Sequence, residues 1–335
     1  MSDRDTKKPR INKFKKRSEH LRNGDEGKLK NRINLEWRLD CDRVSEAFGG
    51  TSEFVGIDEL KETLKQSRTG KALLSAENVE GLNIYFDPQV SVSQYYPEVG
   101  VITLNPHQPK AELVILLTKE LRKNWQYKNG LLFNPLSFDP NEAILLNRSQ
   151  QADCLLLAIR VAWEIKLDGD NTVWDYLAVS SSSDVMRTFE IHAKSDFRSL
   201  NNGKAVRAAY DKWFEEDRIK THDKNVIHQM LLDETVYALE TEQTKRTVDD
   251  SLLIQMAEMP CGQNYLSLSG YKQPTHEDYA AVDDRSNANF LWFIKFERSF
   301  QEKERQMLEV PVPCSADVID FASRAKQAKQ QSWAN

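Results

Sequence analysis

The sequence predicts an α+β fold, and three observations carry that expectation. Two short runs, Leu82-Asn83-Ile84-Tyr85-Phe86 and Val99-Gly100-Val101-Ile102-Thr103-Leu104, are β-rich and bounded by Gly, Asn and Pro, as strands are. Two long helical stretches follow them. From residue 170 onward the pattern is mainly helical.

Taken in order, the first credible element is 34–48, with Leu35, Trp37, Leu39, Val44 and Phe48 as its apolar positions. A helix over 57–66 places Ile57, Leu60 and Leu64 at helical spacing, and Gly70 reads as a break after it. The two strands come next, and Pro106 and Pro109 then delay the following element. A helix over 110–127 ends before Asn129-Gly130, a C-cap signal. Another starts at Asp139-Pro140-Asn141-Glu142: an Asp N-cap, Pro at the first helical position and Glu placed to close a capping box. It runs to Leu167, before Gly169. Further helices are expected near 184–197, 203–217, 225–231, 288–308 and 316–330, with the acidic stretch 233–250 as a linker. Phe290-Leu291-Trp292-Phe293-Ile294 reads as a packed helix rather than an exposed docking surface. The expected organisation is a basic leader (1–32), a core of short strands and two long helices (33–169) and a helical C-terminal region (170–335).

Composition narrows the function classes. Hydrophobic residues are 40% and charged residues 29% of 335, with 13 Gly and 11 Pro, which excludes a fibrous or wholly disordered chain. The longest apolar stretch, Cys154 to Ile159, is cut by Arg160, so no membrane span is expected. The N-terminus has no apolar run of a secretory signal. Four cysteines far apart (Cys41, Cys154, Cys261, Cys314) read as reduced thiols, and the expected location is cytoplasmic. Residues 1–32 hold 12 Lys or Arg against 5 Asp or Glu, a charge of +7, which leaves −12 on the remainder of a chain of net −5. Such a leader reads as a solvated, disordered segment, with a weak polyanion contact as the alternative, while the acidic body argues against a dedicated nucleic-acid-binding fold.

The ordinary catalytic motifs are missing. No two of His20, His107, His192, His222, His228 and His276 are spaced i, i+4, and none pairs with a nearby Cys, so zinc ribbons and HxxxH sites are absent. His107 reads as a loop residue. What remains is the helix around Lys119-Glu120-Leu121-Arg122-Lys123-Asn124-Trp125-Gln126. At about 100° per residue, Leu113, Val114, Leu117, Leu121 and Trp125 share one face, with Lys119, Glu120 and Lys123 beside it. By spacing alone that cluster is a solvated flank with i, i+3 and i, i+4 pairing.

The order of a strand ending Ile102-Thr103-Leu104-Asn105, then this helix, then a second long helix carrying Arg148-Ser149-Gln150-Gln151-Ala152-Asp153-Cys154 resembles the core of a zincin. In particular it resembles a bacterial family of putative metallopeptidases of uncharacterised function. There the first helix reads much like His-Glu-Leu-Arg-His-x-Trp-Gln, and an Arg-x-x-Glu-Ala-Asp-Ala segment could supply a third zinc ligand. The resemblance covers roughly 69–168 and extends loosely through 196–203 and 210–214. It implies a zincin-like core, and that the ligand positions here are Lys119, Lys123 and Gln151, with Glu120 at the place of the general base.

These departures point away from zinc chemistry. A histidine ligand offers a neutral nitrogen lone pair, whereas an ammonium has none and repels a divalent cation. Glu120 is left as a vestigial base, held ionised by neighbouring cations. The expectation is therefore a pseudoenzyme without a cofactor or metal site, using its surface for a peptide or protein, the peptide lying along Val101–Leu104 by strand pairing. The alternative is an active metal-dependent peptidase with unorthodox ligands, in which zinc would be present. A physical substitute for the metal is a polar bridge of Lys119, Glu120, Lys123 and Gln151 between the two long helices. Asp153, about 200° round from Gln151, is expected to point to a backbone group or a basic partner.

Overall fold

A computed structural model of the chain describes residues 55–215, 218–232 and 247–309. The expected leader 1–32, the elements at 34–48 and 316–330, and most of the acidic stretch 233–250 lie outside these residues.

Helix α1 (Ile57–Lys65) buries Leu60, Thr63 and Leu64, the inward positions its spacing dictates. Helix α2 (Arg68–Leu73) follows at once, its N-terminus capped by the Ser67 hydroxyl, which accepts from the Gly70 amide at 2.9 Å. Gly70 is therefore inside a helix and does not break one. A Cβ there would lie 2.2 Å from the Leu64 carbonyl oxygen, so glycine is what lets α2 cross the end of α1. A single turn, α3 (Ala76–Val79), leads into the sheet.

The sheet has three strands, β1 (Asn83–Phe86), β2 (Ser93–Tyr96) and β3 (Val101–Leu104), in the order β1-β3-β2. β1 runs parallel to β3, with Ile84 opposite Ile102; β2 runs antiparallel to it, with Tyr95 opposite Ile102. The expected strands are both present. β2 has no apolar run to announce it, because what seats it is the polar tips of Ser93 and Tyr95. The topology corrects one functional expectation. Val101–Leu104 is the central strand, hydrogen-bonded on both sides, so it has no edge to offer a peptide; β1 and β2 are the outer strands.

Helix α4 (Lys110–Lys128) ends at Asn129 with Gly130 in the left-handed region (φ 69°), as the Asn-Gly signal predicts. Helix α5 (Pro140–Leu167) starts on an Asp139 cap that accepts from the Asn141 amide at 3.1 Å. Its capping box is not closed: Glu142 instead accepts the Val248 amide at 2.8 Å, drawn off by a loop distant in sequence. α5 is buried almost throughout, including its polar run Asn147–Gln151 and Asp153. α4 packs along it and under β2 and β3.

The C-terminal helices are α6 (Thr172–Ala178), α7 (Ser183–Ser195), α8 (Ser199–Asn202), α9 (Lys204–Trp213), α10 (Arg218–Leu232), α11 (Asp250–Met256), α12 (Glu277–Ala280) and α13 (Arg285–Glu309). α6, absent from the sequence expectation, is held by Trp174 edge-on to Trp163 at 4.9 Å. Helices α6, α9, α10, α11 and α12 all pack on α5, and position 169 lies inside one compact unit that ends at Leu291. A second unit begins at Trp292. Of the aromatic run expected to be packed, Leu291 and Ile294 are buried, but Phe290, Trp292 and Phe293 are exposed. No helix among the described residues is long and apolar enough to cross a membrane.

Candidate functional site

Strand β2 lies on helix α4 because their repeats match. Residues two apart on a strand and four apart on a helix are separated by similar distances, roughly 6–7 Å. Ser93 Oγ accordingly donates to Glu120 Oε1 at 2.7 Å, and Tyr95 OH donates to Asn124 Oδ1 at 2.9 Å. Asn124 Nδ2 continues to the Asn78 carbonyl at 2.7 Å, fixing α3.

The four residues singled out from sequence are all in the interior. Lys119 is 1% exposed, Glu120 2%, Lys123 5% and Gln151 3%. The solvated-flank reading of the cluster is thereby excluded: the whole circumference of α4 is covered, by the sheet on one side and α5 on another. Lys123 Nζ donates to Glu120 Oε1 at 3.0 Å, an i, i+3 ion pair with almost no solvent around it.

Lys119 behaves differently. Burial, then the like charge of Lys123, hold its amine well below the ordinary lysine range, against the opposing influence of Cys154, Glu120 and Glu112. Folding therefore shifts this group toward its neutral form relative to an exposed lysine. On α5, burial pushes the Cys154 thiol up to about 12, so it is an inert packed group. Gln151 Oε1 is buried with no hydrogen-bond partner among the described residues.

The polar tie between α4 and α5 is made by other residues. Arg122 lies about 200° around α4 from Glu120, and it turns to Asp153 instead of to Glu120. Its Nε donates to Asp153 Oδ2 at 2.6 Å and its Nη2 to Oδ1 at 3.1 Å. Gln126 Nε2 and Tyr265 OH donate to the same carboxylate at 2.6 and 2.8 Å. Arg122 Nη2 also donates to the Met256 and Glu258 carbonyls, each at 2.7 Å, and its guanidinium lies 4.3 Å from the Trp125 ring centroid. The basic partner expected for Asp153 is therefore Arg122. The bridge expected from Lys119, Glu120, Lys123 and Gln151 is replaced: Glu120 and Lys123 pair within α4, and the cross-helix link is Arg122, Gln126 and Asp153.

One turn earlier on α5, Arg148 makes a second buried fork, to Asp223 of α10 at 2.8 and 2.6 Å, and donates to the Tyr279 and Ala281 carbonyls. His222, the residue before Asp223, packs against Trp213 at 5.3 Å. Burial, with the charges of Lys119, Arg218 and Arg148, pushes its imidazole down to about 3, so it is neutral. Ser93, His222, Asp223 and Tyr265 were invisible as site residues in the sequence. Their partners lie between 27 and 112 positions away where they are hydrogen-bonded, and no spacing rule reaches that far. His107 is an exposed loop residue, as expected.

Among the described residues, no three or more His, Cys, Asp or Glu side chains are grouped so as to hold a metal ion. No curated protein and no solved structure matches the chain. A family model does: the one described as Putative metallopeptidase family (DUF6782) matches residues 42–267, a span that takes in α4, α5, Asp223, Met256, Glu258 and Tyr265. The match covers more than half of the sequence, and the helix pair with its Arg122–Asp153 tie falls wholly within it: the chain belongs to this putative metallopeptidase family.

Proposed function

We propose that the chain is a catalytically inactive, zincin-like member of its family whose remaining use is recognition of a peptide or protein. The observation that carries this reading is the Lys123–Glu120 ion pair at 3.0 Å. The family implies a metal, and the residues here do not fit one. A cation stands at the second ligand position and engages the carboxylate that would activate water, whose Oε1 is also taken by Ser93. A general base needs a lone pair directed at its water. The third ligand position, Gln151, is a neutral amide, a poor donor to zinc.

For recognition, the outer strands β1 and β2 are the available sheet edges, and an extended peptide would add to one of them. β2 is favoured, since Ser93 and Tyr95 fix it rigidly to α4 and a fixed edge loses less entropy on binding.

One observation favours the alternative of an active peptidase with unorthodox ligands. The Lys119 amine is shifted well below the ordinary lysine range by burial and by Lys123, which raises the share that carries a lone pair. Elemental mass spectrometry of untagged protein purified without chelator, followed by a melt with added zinc, separates the two. The inactive reading expects no bound zinc and no thermal shift. Near one equivalent of zinc, with stabilisation and chelator-sensitive peptide cleavage, would overturn it.

A further inference from the structure

Between α11 and α13 the chain runs without a long element. Residues 260–284 hold the single turn α12, and an isolated bridge joins Glu258 to Asn264 at their start. Few of these side chains reach the interior: Tyr265, Leu266, Pro274 and Tyr279 are buried, and the others are half-buried or exposed. Three buried arginines of the helices hold the segment, mostly by its backbone. Arg122 donates to the Glu258 carbonyl at 2.7 Å, Arg207 to the Lys272 carbonyl at 2.8 Å, and Arg148 to the Tyr279 and Ala281 carbonyls at 2.6 and 2.9 Å. Tyr279 OH also donates to Asp211 at 2.7 Å.

Each guanidinium is anchored elsewhere as well. Arg122 is forked onto Asp153, Arg148 onto Asp223, and Arg207 pairs with Asp211 at 3.0 Å; these carboxylates belong to α5, α10 and α9. Lifting the segment therefore breaks none of these ion pairs. It exchanges carbonyl acceptors for water, a much smaller loss than stranding a buried charge. The segment also has little apolar surface to uncover, the mark of a region that opens below the global unfolding free energy. Its two ends share one support, because the Tyr265 and Tyr279 rings lie 5.7 and 5.8 Å from the ring of Tyr210, so lifting one uncovers the packing of the other. We propose that residues 258–281 form a strap that lifts from α5 and α9 as one unit while the helices and their ion pairs stay formed, presenting the released donors of Arg148 and Arg207 beside the Tyr210 ring. The proposal is independent of the reading given above for the α4–α5 site.

Native-state hydrogen exchange of the full chain, followed through sub-denaturing urea, tests it. The probes are the amides of Met259, Thr275 and Tyr279, bonded to the Gln263 carbonyl, to Asp250 Oδ1 and to the His276 carbonyl. Turns this short do not persist once lifted. The three amides are expected to share one protection factor, about 100-fold or more below that of the α5 amides, and a shallower urea slope, since less surface is exposed. Leu60→Ala, in the core of α1, should speed α5 exchange by about 30-fold or more and leave the strap amides unchanged, because Leu60 stays packed when the strap lifts. Tyr279→Phe should speed all three strap amides alike, by about 10-fold. Strap amides that follow α5 in rate and urea slope overturn the proposal, and so does a Leu60→Ala variant that speeds both. Three unrelated protection factors, or a Tyr279→Phe effect confined to its own turn, overturn it in favour of local fraying.

Discussion

Two neighbouring sets of residues on the same helix pair differ in kind. Around Asp153, Arg122, Gln126 and Tyr265 each supply a directed donor, and the guanidinium that remains is taken up by two carbonyls and an indole face. Beside it, Lys119, Lys123 and Gln151 are equally buried, and Lys123 pairs with Glu120 at 3.0 Å. The first set holds the helices in register. The second holds an ion pair, an amine whose pKa burial lowers and an amide oxygen with no partner among the described residues. The Asp153 carboxylate is answered by three donors, whereas the Glu120 carboxylate is answered by two.

The comparison breaks most sharply at Asp153. Asp153→Asn should cost about 3–5 kcal/mol, because it leaves Arg122 charged and buried without its carboxylate. Urea denaturation measures this, and a loss under about 1 kcal/mol would mean the tie is not structural. Glu120→Gln should cost about 2 kcal/mol, the penalty for stranding the Lys123 charge. A change within about 0.5 kcal/mol would show that solvent reaches Lys123 after all.

Lys119→Met should have the smallest effect and the opposite sign, a gain of about 1 kcal/mol at pH 7. The linkage fixes that sign. The folded state lowers the Lys119 pKa, so between that value and the unfolded value near 10.4 the unfolded chain binds more protons. Stability contributed by this residue therefore rises with pH through that window and is complete only above the unfolded value. The variant should lose that slope. An unchanged pH profile between pH 7 and 10 would show that the Lys119 amine is an ordinary ammonium.

Much of the helical scaffold was legible in the sequence. Asp139 with Pro140, and Asn129 with Gly130, marked helix ends correctly because caps are local: backbone groups a few residues apart satisfy one another. The failures are also physical. Gly70 looked like a break, but its role is a contact with Leu64 that periodicity does not register. β2 escaped notice because Ser and Gln carry no strand signal, and its stability comes from hydrogen bonds to α4. The cluster Lys119-Glu120-Lys123 looked solvated because i, i+3 charge pairing is the usual surface pattern. Nothing in the spacing says that a sheet will cover it.

The sequence by itself determined that two long helices follow short strands, and that the first carries Lys119, Glu120 and Lys123 within one turn or so. Those are properties of residue identity and of interactions within a turn or two of chain. Tertiary structure alone decided which charges are answered. It turned Arg122 to Asp153 rather than to Glu120, made Val101–Leu104 a central strand and lowered the pKa of the Lys119 amine. The reason is that desolvation and ion pairing depend on what packs around a group, and here those neighbours come from segments far apart in the chain.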